Sequence, residues 1–195
     1  MNLNLEETLA ALQRPAPSTL AANVALGTGL ADGLGFFDSP VGQLAVTYNL
    51  RGISSVSLAA EDFEGYFQER FRRRLIEARP PRGWDKLINR GIEAGSPGEL
   101  PLDLRGVTTF RQEIMAIATT IPRGEVRPYQ WLASQAGRPG AARAVGSAMA
   151  NNPIPLIVPC HRVVRADGSL GAYSLGGIEN KRSLLVREGY EARAD

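Results

Sequence analysis

The stretch PYQWLASQAGRPGAARAVGSAMANNPIPLIVPCHRVV, residues 128–164, holds two helical patterns, an apolar run fenced by prolines, and the only cysteine and only histidine of the 195-residue chain, adjacent at Cys160 and His161. PYQWLASQAG opens with Pro128, suited to a first helical turn, and stops at Gly137. After RPG, the run AARAVGSAMANN predicts a second short helix that ends before Pro153. Two short helices joined by a tight glycine-containing turn fit a helix-turn-helix, although short helix pairs also fill plain cores. On the second helix Arg143, Gly146, Ser147 and Ala150 recur at three- and four-residue intervals and share one side, while Ala142, Val145 and Met149 can turn inward. So small a face with one Arg can approach a nucleic-acid groove closely, and it serves close helix packing equally well.

Downstream, Pro159 restricts Val158 to extended backbone, so Cys160 is expected to end a buried extended segment. A thiol there is either a small core hydrophobe or, with its pKa lowered by a neighbour, a nucleophile. Adjacency alone does not make a dyad, because successive side chains of an extended chain point to opposite faces. Either the chain turns sharply at Cys160 or a water links the two groups. His161 then needs a partner to fix its tautomer, and Glu188, at the end of the helical run IENKRSLLVREG, is a candidate.

Working outward, TTFRQEIMAIATTIP predicts a helix capped by Thr108 or Thr109, with Phe110, Ile114, Ile117 and Ala118 as its stripe. Earlier, GQLAVTYNL and GISSVSLAA read as strands joined by a turn at Asn49–Gly52. AEDFEGYFQERFRRRLIEA predicts one amphipathic helix carrying Phe63, Tyr66, Phe67, Phe71, Leu75 and Ile76; its RFRRR cluster could serve as a nucleic-acid patch but is read first as the solvated face. RPPRGW and GSPGELP punctuate a connector up to Pro101, LEETLAAL reads as a short helix, and RPAPSTLAAN reads as linker. The expected architecture is α+β. Residues 1–30 form an extension of unassigned role, 31–104 a small N-terminal α/β domain, and 105–195 a mainly helical C-terminal domain.

Composition narrows the classes. An apolar fraction of 44% suits a globular chain with a real core. The N-terminus opens with acids and has no unbroken apolar span, so neither a signal peptide nor a membrane segment is expected. One cysteine excludes an internal disulfide and a Cys-cluster zinc site, which points to a reducing, cytoplasmic setting. The net charge of +2 conceals an asymmetry: residues 1–104 carry 10 Lys+Arg against 13 Asp+Glu, and residues 105–195 carry 12 against 7. A basic C-terminal half is compatible with a polyanion partner.

PCHRVV, preceded by NPIP and AARAVGSAM and followed by GSLGAYS, resembles the O6-alkylguanine-DNA alkyltransferases. The resemblance is close from DLRG at residue 103 to REG at 189 and fainter in FFDSPVGQLAVTYNLRGISSVSL. It implies a ribonuclease H-like N-terminal domain and a winged-helix-like C-terminal one. It also implies repair of duplex DNA by one irreversible alkyl transfer, without cofactor or metal. Cys160 would be the alkyl acceptor, His161 would deprotonate it through a water, and Glu188 would orient the imidazole. Asn152 would brace the turn, Tyr129 would donate to the base, and Lys181 would lie near the pocket rim. Pro155 and Tyr173 would wall the pocket, with Val163 and Ser174 reading guanine edges. Arg143 would take the place of the flipped base. Ala142, Gly146, Ser147 and Ala150 would lie with it in the minor groove of double-stranded DNA bearing O6-alkylguanine. The implied form is a monomer; alkyl-size range, O4-alkylthymine and cooperativity on DNA stay open.

Departures from the family pattern are few. FRQEIMAI has Arg111 and no Trp, AYSLGGIENK is one residue longer than in many relatives, and the zinc ligands some relatives carry near their N-terminus are absent. Three other readings stand beside it. A non-catalytic lesion binder would lack Cys160, a cysteine hydrolase would need a second histidine, and a helix-turn-helix regulator with Cys160 as core would leave the matched offsets unexplained.

Overall fold

The computed structural model describes residues 18–190. The predicted helix at LEETLAAL lies outside them. Helix α1 (Ser18–Thr28) overturns the linker reading for its part of RPAPSTLAAN. Its Ala- and Leu-rich composition favours helix, and its buried Leu26 anchors it.

Strands β1 (Ala31–Phe37), β2 (Leu44–Asn49) and β3 (Gly52–Leu58) form an antiparallel meander. The turn expected at Asn49–Gly52 is present, with the Arg51 amide donating to Asn49 Oδ1 at 2.8 Å. β1 was not expected, because Gly33 and Gly35 dilute its strand signal. The glycine at 33 answers to packing: the Tyr48 ring crosses it, and a Cβ there would lie 2.6 Å from Tyr48 Cε2.

Helix α2 (Phe63–Phe71) is shorter than predicted. Its chain leaves the helix at Arg72, which is left-handed (φ 55°), and Arg74–Ile76 becomes strand β4, parallel to β1. Leu75 and Ile76 are therefore sheet residues, not part of a helical stripe. The sheet order is β3-β2-β1-β4. Arg73 also departs from the solvated-face reading: Nε lies 3.2 Å from Asp32 Oδ2 and Nη1 3.0 Å from Asp103 Oδ2. Arg105 and Asn49 bind Asp103 as well. Burial opposes ionisation of Asp103, yet these hydrogen bonds outweigh it and hold its carboxyl well below the usual range.

The supposed connector contains helix α3 (Trp84–Ala94), whose Ile88, Gly91 and Ile92 are buried. Helix α4 (Thr109–Ala118) is capped by Thr108, as expected. Short strand β5 (Arg127–Pro128) runs straight into α5 (Tyr129–Gln135), and α6 (Ala142–Ala150) follows across the Gly137 turn. α7 (Gly177–Arg187) closes the described chain.

The largest core runs through both halves of the chain. Leu44, Val46 and Ile53 of the sheet share it with Ile88, Ile114, Leu132, Val145, Ile157 and Leu184. A main-chain bond reinforces the seam: the Val56 amide donates to Pro153 O at 2.8 Å. The sheet thereby supports the loop that carries the cysteine. None of the helices among the described residues is long and apolar enough to cross a membrane.

Candidate active site

The expected extended segment into Cys160 ends in a sharp turn. Residues Cys160–Arg162 form one turn of 3-10 helix, followed by strand β6 (Val163–Val164). All five are buried. β6 pairs in parallel with β5 through Arg127–Val163 and Pro128–Val164, which brings Tyr129, at the head of α5, beside the cysteine turn.

Asn152 organises the approach to this turn. Its Oδ1 accepts the Ile154 amide at 2.9 Å, and its Nδ2 donates to Val158 O at 3.0 Å. Between them Leu156 is held at φ 71°, a left-handed conformation costly for a residue with a Cβ. The loop tolerates that strain because Asn152 satisfies it from within.

Burial pushes the Cys160 thiol up, and the Asn152 hydrogen bond together with the Lys181 charge offset this only in part. The resting sulfur is therefore a protonated thiol that needs a base. His161 is equally enclosed, and burial pushes its imidazole below the ordinary value, against the pull of Glu188. Its Nε2 lies 3.1 Å from Glu188 Oε1. An ionised carboxylate only accepts, so Nε2 carries the proton and Nδ1 is left with a free lone pair. That Nδ1 is buried without a hydrogen-bond partner. A neutral imidazole with an available Nδ1 lone pair is chemically a base.

Glu188 owes its ionisation to a residue the sequence reading passed over. Arg162 is 2% exposed. Its Nε donates to Glu188 Oε2 at 2.8 Å and its Nη2 to Oε1 at 2.7 Å, a two-point fork. The remaining donors reach Ala94 O (2.8 Å), Gly95 O (3.1 Å) and Ile121 O (2.9 Å). Gly95 is required here: at φ 62° a Cβ would sit 2.3 Å from Arg162 Nη2. Burial works against the Glu188 charge, but the bonds from His161 and Arg162 bring it down to about 2.

This arrangement fixes an acid sensitivity. Glu188 titrates lower in the folded protein than its ordinary 4.5, so its stabilisation is complete above 4.5 and is lost as pH falls towards 2. His161 titrates below 6.5 when folded, so the unfolded chain takes up that proton first and stability also declines below 6.5. Thermal melting is expected to show a Tm that falls from pH 7 to pH 4 through His161 and falls further between pH 4 and pH 2 through Glu188, with only the lower decline reduced in Glu188→Gln. A flat profile would contradict the assignment.

Lys181 is fully buried, not at a rim, and its Nζ donates to Val163 O at 2.6 Å. Burial brings its ammonium down to about 8, against the pull of Cys160. The Val163 carbonyl is thus already engaged by Lys181. The Tyr173 ring meets His161 edge-on at 6.2 Å, and its hydroxyl is buried without a partner. Pro155 is buried and Ser174 exposed. Tyr129 packs its hydroxyl against Gly171; burial, then the Cys160 charge, pushes its pKa up, so the phenol remains a donor.

On α6, Val145, Ala148 and Met149 turn inward, while Arg143, Ser147 and Ala150 are exposed and Gly146 is half-exposed. Ala142 is half-buried, not turned fully inward as its spacing allowed. It lines, with Arg143, Gly146, Ala150 and Tyr129, an open depression of about 450 Å³. Tyr129 thus connects the helix face to the cysteine turn. Among the described residues no cluster of His, Cys, Asp and Glu is placed to hold a metal ion.

A buried cysteine on an asparagine-braced loop, a carboxylate-locked histidine and an adjoining pair of short helices make up the candidate site, and known proteins are similar to the chain that carries it. Residues 109–190 match the family described as 6-O-methylguanine DNA methyltransferase, DNA binding domain. The methylated-DNA–protein-cysteine methyltransferase of Mycobacterium tuberculosis is 54% identical over 97 residues, which are 50% of this chain and 58% of that protein. The Escherichia coli bifunctional transcriptional activator/DNA repair enzyme Ada is 35% identical over 83% of this chain and 47% of its own length. Among solved structures, Mycobacterium tuberculosis OGT in complex with DNA superposes with a TM-score of 0.65 at 38% identity, covering 80% of this chain and 93% of that one. The chain belongs to the O6-methylguanine-DNA methyltransferase family. It spans little more than half the length of the curated methyltransferases it matches.

Proposed function

We propose that this protein repairs O6-alkylguanine in duplex DNA by moving the alkyl group onto its own Cys160. The observation that carries the reading is the buried Cys160 next to a histidine whose free Nδ1 is fixed by Glu188. The thiol proton passes through a bridging water to Nδ1. The sulfur attacks the alkyl carbon in line, the carbon–O6 bond breaks, and a thioether forms. The electron pair of the broken bond stays on guanine, whose developing negative charge the Tyr129 phenol stabilises by donating a hydrogen bond, while His161 holds the balancing proton taken from the thiol. A thioether is not displaced under these conditions, so each molecule acts once.

In-helix guanine cannot reach a buried sulfur, so the base is flipped out, at a cost of a few kcal/mol of unstacking. Arg143 fills the gap, and the small α6 face lies in the minor groove, where contacts are mostly to backbone and tolerant of sequence. The α5–α6 pair supports a winged-helix-like assignment for the C-terminal unit, and the β3-β2-β1-β4 sheet with its helices supports a ribonuclease H-like one for the N-terminal unit. The OGT complex with DNA supports a nucleic-acid partner.

Incubation with a duplex carrying O6-methylguanine is expected to add one methylene's mass, about 14 Da, to the Cys160 peptide in a one-to-one burst. Multiple turnover, or no gain, would overturn the proposal. Arg143→Ala is expected to slow repair of the duplex by roughly 10-fold or more, in line with a loss of ~1–2 kcal/mol, with little effect on free O6-benzylguanine. Equal slowing in both assays would remove Arg143 from the flipping step.

A further inference from the structure

A second charged feature lies outside the cysteine site, at the seam between the sheet and the helices. Arg70, Arg73, Arg105 and Arg111 converge on a cleft of about 530 Å³ whose far side is formed by Asn151 and Pro153. They come from three separate places in the chain: the end of α2 with the turn after it, the segment before α4, and the first turn of α4.

Two of the four are fixed from beneath. Asp103 and Asp32 hold the Arg73 guanidinium, and Asp103 grips Arg105 through Nε at 2.8 Å and through Nη2. Arg70 rests against the rings of Tyr66 (5.9 Å) and Phe71 (5.6 Å). Neither Arg70 nor Arg111 has a carboxylate partner among the described residues. Four guanidiniums facing two carboxylates leave a local surplus of positive charge in a concave site, the setting in which phosphate oxygens are bound. Asn151 identifies the partner. It caps the C-terminal end of α6 and also lines the cleft, so the cleft adjoins the helix that carries the exposed small-residue face.

We infer that this cleft is a phosphate-binding extension of the DNA interface, which takes the backbone of the duplex strand flanking the damaged base. The inference rests on the proposed function and adds contacts from the N-terminal half. Arg73 and Arg105 are prealigned by their aspartates, so little ordering is lost when phosphate arrives; Arg70 and Arg111 supply the unpaired charge. Such contacts carry no sequence information and register as salt dependence.

The test uses the full chain and a 20-base-pair undamaged duplex, with affinity measured by fluorescence anisotropy over a series of salt concentrations. The Arg70→Gln/Arg111→Gln pair removes two phosphate contacts. It is expected to flatten the plot of log affinity against log salt by about 1.8, at about 0.9 per contact, and to weaken binding about 10-fold or more at moderate salt. The Arg70→Lys/Arg111→Lys pair is expected to keep most of the slope. An unchanged slope in the glutamine pair, or equal losses in both pairs, overturns the inference. Incubation with a duplex carrying O6-methylguanine separates this from the parent reading. If the native protein alkylates Cys160 and the glutamine pair keeps the slope, only the cleft assignment fails. If the native protein does not react, the proposed function fails.

Discussion

Cys160→Ser is expected to abolish alkyl transfer, by roughly 10⁴-fold or more, while duplex affinity stays within about two-fold of the native protein. The reasoning is local. Burial already pushes the native thiol up, so the site works only because sulfur is polarisable and its proton can be taken by His161. A hydroxyl is a far weaker acid in the same enclosure, and the same base cannot ionise it. The structural cost is small, because the Asn152 side chain that serves the thiol can serve a hydroxyl and the side-chain volume barely changes. Mass spectrometry checks the first half of the prediction and anisotropy the second. Detectable transfer to the serine variant at a tenth of the native rate would mean that the acceptor lies elsewhere.

Arg162→Met carries the second large effect, and it should appear in stability and chemistry together. Removing one member of a buried ion pair typically costs about 3–5 kcal/mol, since the partner charge is left without compensation. Here Glu188 would lose its two-point fork while three backbone carbonyls from separate segments lost their donor. For a chain of this size such a loss corresponds to a Tm decrease of roughly 10 °C. The rate with free O6-benzylguanine should also fall, because an unanchored Glu188 no longer fixes the imidazole. Arg162→Lys is expected to recover part of the Tm but not the full rate, since an ammonium cannot form the fork. Native stability in Arg162→Met would show that the fork is energetically idle.

The C-terminal half was the more legible in the sequence, for reasons that can be stated. Its helices are punctuated by Thr108, Pro128 and Gly137 and have clean apolar stripes, so local rules were enough. The structure pairs His161 with Glu188 and sets Asn152 on the loop that leads into Cys160. In the N-terminal half the local signals competed. Leu75 and Ile76 continue a helical period, but the pull of β1 and the aspartates on Arg73 converts that segment into a strand. β1 was hidden by glycines needed for a ring arriving from β2. α3 had its signal in Trp84, Leu87, Ile88 and Ile92, overshadowed by the prolines and glycines that flank it. Lys181 and Arg162 could not be placed because cations are assumed to seek solvent. Only the carbonyls waiting in the interior explain them.

Every side chain assigned to the chemistry lies after residue 128, yet the atoms that hold Arg162 do not. Ala94 and Gly95, at the end of α3, hold the arginine that holds the glutamate that sets the histidine tautomer. The reactive centre is consequently not portable. Grafted onto another DNA-reading scaffold, or separated from the first hundred residues, the motif would keep its thiol and its imidazole but lose two of the three carbonyls that anchor Arg162.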